Sequence, residues 1–201
     1  METFLSICLG IGLSAACGFR VFVPLLFLSV ASLSGHVSLA SGFAWIGTYP
    51  ALIAFSVATA LEIGAYYIPF LDNLLDSIAI PAAVVAGVVV TASCVTGMSP
   101  MLKWTLAVIA GGGAAAATQV VTTKLRAISS MTTAGLGNST LATAEAGSSA
   151  GLSLLTVLFP IAGMILTVML VVFCVVLIVY VSKKLLQWVK RTNSPATTTP
   201  G

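Results

Sequence analysis

The stretch FLSICLGIGLSAACGFRVFVPLLFLSVASL, residues 4–33, decides the fold of this chain. It is continuously apolar over a length greater than the ~20 residues that an α-helix needs to cross a bilayer. Gly18, Arg20 and Pro24 interrupt it near its middle. We therefore expect a membrane segment that is either one tilted, kinked helix or two half-helices that meet near Gly18.

The composition extends this expectation to the whole chain. Of its 201 residues, 59% are hydrophobic and 6% are charged, whereas a soluble domain carries roughly 25% charged residues. We predict an all-α, polytopic membrane bundle whose main partner is the lipid bilayer. It forms a single transmembrane domain over residues 1–191, with halves at 4–98 and 101–189, followed by a disordered polar tail at 192–201.

About six membrane segments are expected. Five apolar runs lie at residues 4–33, 50–68, 78–98, 102–121 and 151–181. The segment 127–150 is polar but nearly uncharged, so it crosses only if other helices shield it. If it crosses, Lys124, Arg126 and both termini lie on the side of the lysines and arginines at 183–191, which is the cytoplasmic side of a bacterial inner membrane. If it does not, Lys124 and Arg126 lie opposite the C-terminus.

The two halves share an order of features, which predicts a 3+3 inverted repeat with broken or kinked helices. In each half a glycine-rich span leads to a cation, then to a carboxylate, then to a proline that starts an apolar helix. The residues are Arg20, Glu62 and Pro81 in the first half, and Lys124 with Arg126, Glu145 and Pro160 in the second.

Two charges inside apolar runs are the first candidates for a functional site. A charged side chain at bilayer depth costs ~2.5–3.5 kcal/mol on insertion scales, so Arg20 is expected to contact Glu62, Glu145 or both. Arg20 would bind an anionic group beside a cavity, and Glu62 would gain and lose a proton. The alternative is that these charges form permanent ion pairs that only hold helices together.

The polar segment adds further candidates. Thr132, Thr133 and Asn138, with nearby glycine amides, could cradle an anion, and Lys124 and Arg126 would attract one. We expect this segment to be ordered and to line the same cavity as Arg20.

An acidic connector follows the second apolar run. Asp72 and Asp76 are four residues apart, where two carboxylates either cap helices or hold a hard cation. We expect capping and predict no metal site.

Motifs within this chain resemble a family of small bacterial membrane proteins, domain-of-unknown-function family 4126. They are GFRVFVP at residues 18–24, the stretch 61–76 with its glutamate and two aspartates, and the stretch 124–145 from KLR to Glu145. The resemblance covers about residues 10–163 and implies the same architecture and site positions. It implies no substrate, because the family has no established activity. The chain departs from the family pattern at Tyr66, Ile80, Ser139 and Ala146.

The motifs that are present and absent limit the classes of function that the chain can have. The chain has one histidine and lacks a nucleotide-binding motif, so we predict no enzyme, no catalytic residues and no cofactor. It has no basic fold for nucleic acid. We favour a small secondary transporter or channel-like carrier for a small anion or an anionic lipid headgroup, with a homo-oligomer left open. The alternative is a structural or assembly membrane protein.

Overall fold

The computed structural model describes residues 1–133 and 137–192, without the side chains of residues 69, 70, 72, 73, 181, 182 and 184–192. All regular structure in the described ranges is helical, as predicted. The α-helices are α1 (Glu2–Cys17), α2 (Phe22–Leu33), α3 (Tyr49–Ala65), α4 (Pro69–Cys94), α5 (Pro100–Leu106), α6 (Gly113–Thr133), α7 (Asn138–Leu158) and α8 (Pro160–Thr192). A 3-10 helix, Ser41–Gly47, precedes α3, and a π-helical segment, Ala107–Gly112, joins α5 to α6.

The first apolar run forms two half-helices. α1 ends at Gly18, where an added Cβ would lie 2.5 Å from the carbonyl oxygen of Ala115 on α6. Only glycine fits this close approach. Pro24 lies in the first turn of α2, where its missing N–H removes no helical hydrogen bond. The chain therefore breaks between the two helices, at residues 18–21.

The half-helices fold back on each other. Gly10 of α1 lies against Thr91 of α4, and one turn later Ser14 Oγ lies 2.8 Å from the Gly87 carbonyl oxygen. Thus α1 runs antiparallel to α4. After α2 the chain has returned to the start of α1, because Glu2 and residue 36 line the same pocket. We call α1, residues 18–21 and α2 the hairpin, and residues 18–21 its tip.

Small residues bring α1, α4 and the π-helical segment together. A Cβ on Gly87 would lie 2.7 Å from the Ala115 Cβ and 2.8 Å from the Gly111 carbonyl oxygen. Ser14 Oγ also lies 2.5 Å from Thr91 Oγ1. Close backbone approach and hydroxyl hydrogen bonds are typical of helix packing in lipid, where no hydrophobic force drives helices together.

Two boundaries differ from the sequence prediction. The acidic connector at 69–77 is the first part of α4, so Pro81 lies inside that helix and does not start it. A proline inside a membrane helix is tolerated when neighbouring groups satisfy the freed carbonyl. The polar segment 127–150 is helical at 127–133, in α6, and at 138–150, in α7. Pro160 begins α8, as predicted.

The exterior is that of a membrane protein. Four helical stretches are long and apolar enough to cross a bilayer: Leu74–Cys94, Pro100–Thr133, Asn138–Leu158 and Pro160–Tyr180. The 3-10 helix and α3, bent by 66°, would make a fifth. The count of six segments and the inverted repeat stay predictions. Apart from Thr192, the predicted polar tail lies outside the described residues.

α3 lies at the edge of the bundle. It packs on α2 and on the 3-10 helix, and it buries only Ala51 and Phe55 near its start. Its second half therefore stands away from α4, and a cavity lies between the two helices at the level of the hairpin tip.

Candidate functional site

Arg20 lies at the hairpin tip and is 1% exposed. Its Nη2 donates a hydrogen bond of 2.9 Å to the Ala142 carbonyl oxygen of α7. The same nitrogen lies 3.3 Å from Oε2 of Glu145, one turn further along α7. Nε and Nη1 have no hydrogen-bond partner among the described residues. The guanidinium is thus held on one side and retains two nitrogens that can donate.

Arg126, on α6, binds the same Glu145 carboxylate with two of its nitrogens. Its Nε donates to Glu145 Oε1 at 3.0 Å, and its Nη2 donates to Glu145 Oε2. Its Nε also lies 3.9 Å from Oδ1 of Asp76 on α4. The Arg126–Glu145 pair is bidentate, which is the strongest geometry for a guanidinium and a carboxylate.

Tyr66 joins the two arginines. The guanidinium carbon of Arg20 lies 3.8 Å from its ring centroid, and that of Arg126 lies 4.2 Å away. The negative face of an aromatic ring attracts cations at this distance. The ring therefore contacts two like charges that would otherwise repel each other.

Glu62 takes a different partner. Oε1 accepts a hydrogen bond of 2.7 Å from the Val21 amide, and Oε2 accepts one of 3.0 Å from the Phe22 amide. These are the first amides of α2, whose N-terminus carries a partial positive charge. An ion pair between Glu62 and Arg20 is not found within the described part of the chain. The tip thus places Glu62 beside Arg20 but satisfies it with backbone dipoles.

A cavity of about 510 Å³ borders the tip, between α3 and α4. Its polar lining consists of Glu62, Tyr66 and Gln119, and the rest is apolar. A second, almost wholly apolar groove of about 480 Å³ continues from it along α2 and α4. The two share Val21 and Phe22, the residues whose amides hold Glu62.

The cluster lies inside the bundle. Glu145 is seven residues after the start of α7 and thirteen before its end, about 10 Å and 20 Å along the axis at 1.5 Å per residue. Among the side chains that the structure describes, two guanidiniums face three carboxylates, those of Glu62, Asp76 and Glu145. One bound proton would balance the formal charges.

The other predicted candidates lie elsewhere. Lys124 is exposed on α6. Thr132 Oγ1 donates to the Ile128 carbonyl oxygen, and Thr133 Oγ1 accepts from the Gly137 amide. Their hydroxyls hydrogen-bond within the α6–α7 connection.

Asn138 likewise hydrogen-bonds locally, since its Nδ2 lies 3.0 Å from Ser130 Oγ. The structure does not bring Thr132, Thr133 or Asn138 to Arg20. The part of the polar segment that reaches Arg20 is Ala142 and Glu145. Asp76 joins the cluster through Arg126, and the side chain of Asp72 lies outside the described residues.

Two features of the site were missed by sequence reasoning. Tyr66 lies four residues after Glu62, on the same face of the chain as it leaves α3, and that spacing was the available signal. The pairing of Glu62 with backbone amides has no signal in the sequence, because it depends on where the hairpin breaks.

The chain matches the family described as "Domain of unknown function (DUF4126)" over residues 7–180. No curated protein and no solved structure matches the chain significantly. The match covers most of the chain and includes most of the hairpin, the two glutamates of the site and both buried arginines. The chain therefore belongs to this family of membrane proteins of unknown function.

Proposed function

We propose that the protein is a small secondary transporter for anions, with its binding site at the hairpin tip. One observation carries the proposal. The first amides of α2 hold an internal anion, the Glu62 carboxylate, on the wall of a 510 Å³ cavity and next to a buried arginine with two uncommitted nitrogens. Helix N-termini bind anions because their free amides and the helix dipole point at the ligand.

In the proposed mechanism, Glu62 and an external anion compete for the same two backbone amides. While ionised, Glu62 occupies the two amides and keeps an external anion out. A protonated Glu62 is neutral, so its hold on the amides weakens, and an anion entering the cavity takes its place beside Arg20. The excess of one carboxylate over the guanidiniums favours this protonation. Anion binding and proton binding are therefore coupled, which makes the site a proton-linked carrier.

The cavity limits the class of substrate. Its walls are mostly apolar, so they strengthen the attraction between the site and an anion by excluding water. A small inorganic or carboxylate anion fits this chemistry. An anionic lipid headgroup presents the same charge, with its acyl chain in the apolar groove along α2 and α4. We propose no enzymatic step and no cofactor.

The topology that we propose has six embedded segments, namely the hairpin and five crossings by α3, α4, α5–α6, α7 and α8. The hairpin enters and leaves on one side, so five crossings put the termini on opposite sides. Exposed Lys124 and Lys183 favour a cytoplasmic C-terminus in the bacterial inner membrane. The N-terminus then lies outside, in contrast to our sequence expectation of two cytoplasmic termini. An oligomer is not required.

The inverted repeat is proposed only for α3–α4 and α7–α8. The two helix pairs run in opposite directions, and α3 and α7 carry Glu62 and Glu145. The hairpin has no counterpart in the second half, because α6 belongs to one continuous span.

Labelling with a membrane-impermeant thiol reagent tests this topology. The four native cysteines are buried, so introduced ones can be read separately. We expect Glu2→Cys to react from outside in intact cells and Lys190→Cys to react only after permeabilisation. Labelling of both positions from the same side would contradict the proposed crossings.

Equilibrium binding tests the anion site. We expect purified protein in detergent to bind chloride, formate or phosphate more tightly at low pH, because protonation frees the amides. Glu62→Gln should bind with little dependence on pH, whereas Lys103→Gln, a change at a partly exposed residue beside Phe43, should behave like the wild type. Equal pH dependence in wild type and Glu62→Gln would reject the mechanism.

Lipid binding distinguishes the two possible substrates, an anionic lipid headgroup and a small free anion. A headgroup substrate predicts that phosphatidylglycerol co-purifies with the protein and competes with the free anions, while phosphatidylcholine does neither. A small-anion substrate predicts binding that is indifferent to both lipids.

A structural or assembly role is the second candidate, and the bidentate Arg126–Glu145 pair favours it. Such a pair serves to hold α6 and α7 together. If this were the only role, the chain would bind none of the anions at any pH, and the cluster variants would change stability alone.

A further inference from the structure

Three buried hydroxyls are unexplained by packing or by the anion site. Ser153 and Thr156 on α7 are 0% exposed, and Thr167 on α8 is 1% exposed. None has a hydrogen-bond partner within the described ranges. A buried hydroxyl without a partner is unfavourable, and an alanine or valine would fill each position without that cost.

These hydroxyls continue a line that begins at the charged cluster. Glu145, Ser149, Ser153 and Thr156 follow each other at intervals of four, four and three residues, which places them on one face of α7. Ser149 Oγ donates a hydrogen bond of 3.0 Å to the Ala16 carbonyl oxygen. Since α1 ends near the tip, this face of α7 looks onto the hairpin along its length.

The line runs where α1, α7 and α8 meet. A Cβ on Gly12 of α1 would lie 2.9 Å from Thr156 Oγ1, and Gly163 of α8 lies against the same threonine. α7 and α8 are antiparallel, joined at Phe159. Thr167, one turn beyond Gly163, therefore lies near the level of Ser153. Glycines on two helices therefore let α1 and α8 approach Thr156 closely.

The far end of the line reaches a pocket at the outer face. This outer pocket of about 340 Å³ is lined by Val157, the neighbour of Thr156, and by Glu2, Ser6 and His36, among others. From Glu145 to Thr156 the line spans about 16 Å of helix at 1.5 Å per residue. It thus runs between the outer pocket and the cluster.

We propose that Ser149, Ser153, Thr156 and Thr167 form a proton path from the outer pocket to the charged cluster. Each hydroxyl oxygen accepts a proton and releases its own to the next oxygen, so every side chain is chemically unchanged after a transfer. Water bridges the gaps of one helical turn. The cluster accepts the proton because it has one more carboxylate than guanidiniums. This inference rests on the proposed proton-linked carrier and names its proton entry.

The test compares two double variants in proteoliposomes that contain chloride and a trapped pH-sensitive dye. Ser153→Ala/Thr156→Val removes two hydroxyls of the path and keeps the side-chain volume. Ser56→Ala/Thr105→Val is the matched control, because those hydroxyls are exposed and bond their own helix, at the carbonyls of Leu52 and Met101. We expect proton flux under an imposed pH gradient to fall at least tenfold in the first variant and to stay at the wild-type level in the control.

Two further measurements distinguish a loss of proton transfer from a loss of stability or of anion binding. Thermal stability of the path variant should equal or exceed that of the wild type, since the removed hydroxyls had no partners. Its equilibrium anion binding in detergent should be unchanged. Thr167→Val, which leaves α7 intact, provides a second variant with an expected smaller loss of flux.

The outcomes point to different conclusions. Proton flux in both path variants equal to that of the wild type would overturn the path. Anion binding by the wild type without any proton flux would also overturn the path, and only the anion-binding site would remain supported. Absence of anion binding by the wild type would instead reject the proposed function.

Discussion

Glu62 and Glu145 are the same residue type and lie near the same arginine, yet they are held in opposite ways. Glu145 is buried, whereas Glu62 is half-buried. Glu145 is gripped by two fixed cations, bidentately by Arg126 and at 3.3 Å by Arg20. Glu62 is held by two backbone amides. Amides tolerate the exchange of one anion for another, whereas two guanidiniums require a charge to stay. The comparison assigns the structural task to Glu145 and the exchangeable position to Glu62.

The largest expected effect is that of Glu145→Gln. It leaves two buried guanidiniums without their shared carboxylate, and removing one partner of a buried ion pair costs about 3–5 kcal/mol. Thermal unfolding in detergent should show a large loss of stability, with Glu2→Gln, at an exposed carboxylate, as control. If Glu62→Gln destabilised the protein more, the assignment of roles would be reversed.

Arg20→Ala should have the next largest effect. It breaks one ion pair and one hydrogen bond to the Ala142 carbonyl oxygen, while Glu145 keeps Arg126, so we expect a loss of about 2 kcal/mol. Lys103→Ala, which removes a partly exposed cation, should cost much less. Equal melting temperatures for the two variants would show that Arg20 is not engaged as the structure has it.

Tyr66→Leu tests how much the aromatic ring stabilises the two arginines that hold Glu145. Loss of the aromatic face leaves the two guanidiniums less shielded from each other, and a desolvated cation–π contact is worth about 2 kcal/mol or less. We expect a loss of roughly 1–2 kcal/mol, larger than that of Tyr49→Leu at an exposed tyrosine. The thermal stability of Tyr66→Leu should also become more dependent on salt. A loss no larger than that of Tyr49→Leu would mean that the ring does not contribute.

The sequence singles out most of the charged residues of this cluster, because a charge in an apolar run has few explanations. Arg20, Glu62, Arg126 and Glu145 were all candidates, and the structure brings them to the hairpin tip. Their pairing was not predictable, since it depends on the break at Gly18 and on where α2 begins. The expectation that Pro81 starts a helix failed because a proline can lie inside a membrane helix.

The neutral polar residues were harder to predict than the charged ones. Thr132, Thr133 and Asn138 had the right chemistry for an anion but hydrogen-bond to neighbouring groups of the α6–α7 connection. Ser153 and Thr156 were not among the predicted site residues, because a serine or threonine in a membrane helix usually hydrogen-bonds to its own backbone. Their lack of a partner is a property of packing and has no counterpart in the sequence.

Glu62→Gln is expected to change stability least, and this small effect is the sharpest test of the comparison. The glutamine oxygen can still accept a hydrogen bond from one of the two amides, and the residues that carry these amides, Val21 and Phe22, line the 510 Å³ cavity. The loss should therefore be about 1 kcal/mol, the contribution of a single hydrogen bond. This figure applies at pH 8, where Glu62 of the wild type is ionised, and the variant has no proton to gain at this position when the pH falls. The wild type, in contrast, should gain stability relative to the variant as the pH falls from 8 to 5, because in the proposed mechanism folded Glu62 takes up a proton in a range where the carboxyl of an unfolded chain is still ionised. Thermal unfolding of both proteins across this range, each with and without chloride, measures the difference. A stability gap that stayed the same at pH 5 and pH 8 would mean that Glu62 takes up no proton in this range, and the exchange of carboxylate for anion would lose its physical basis.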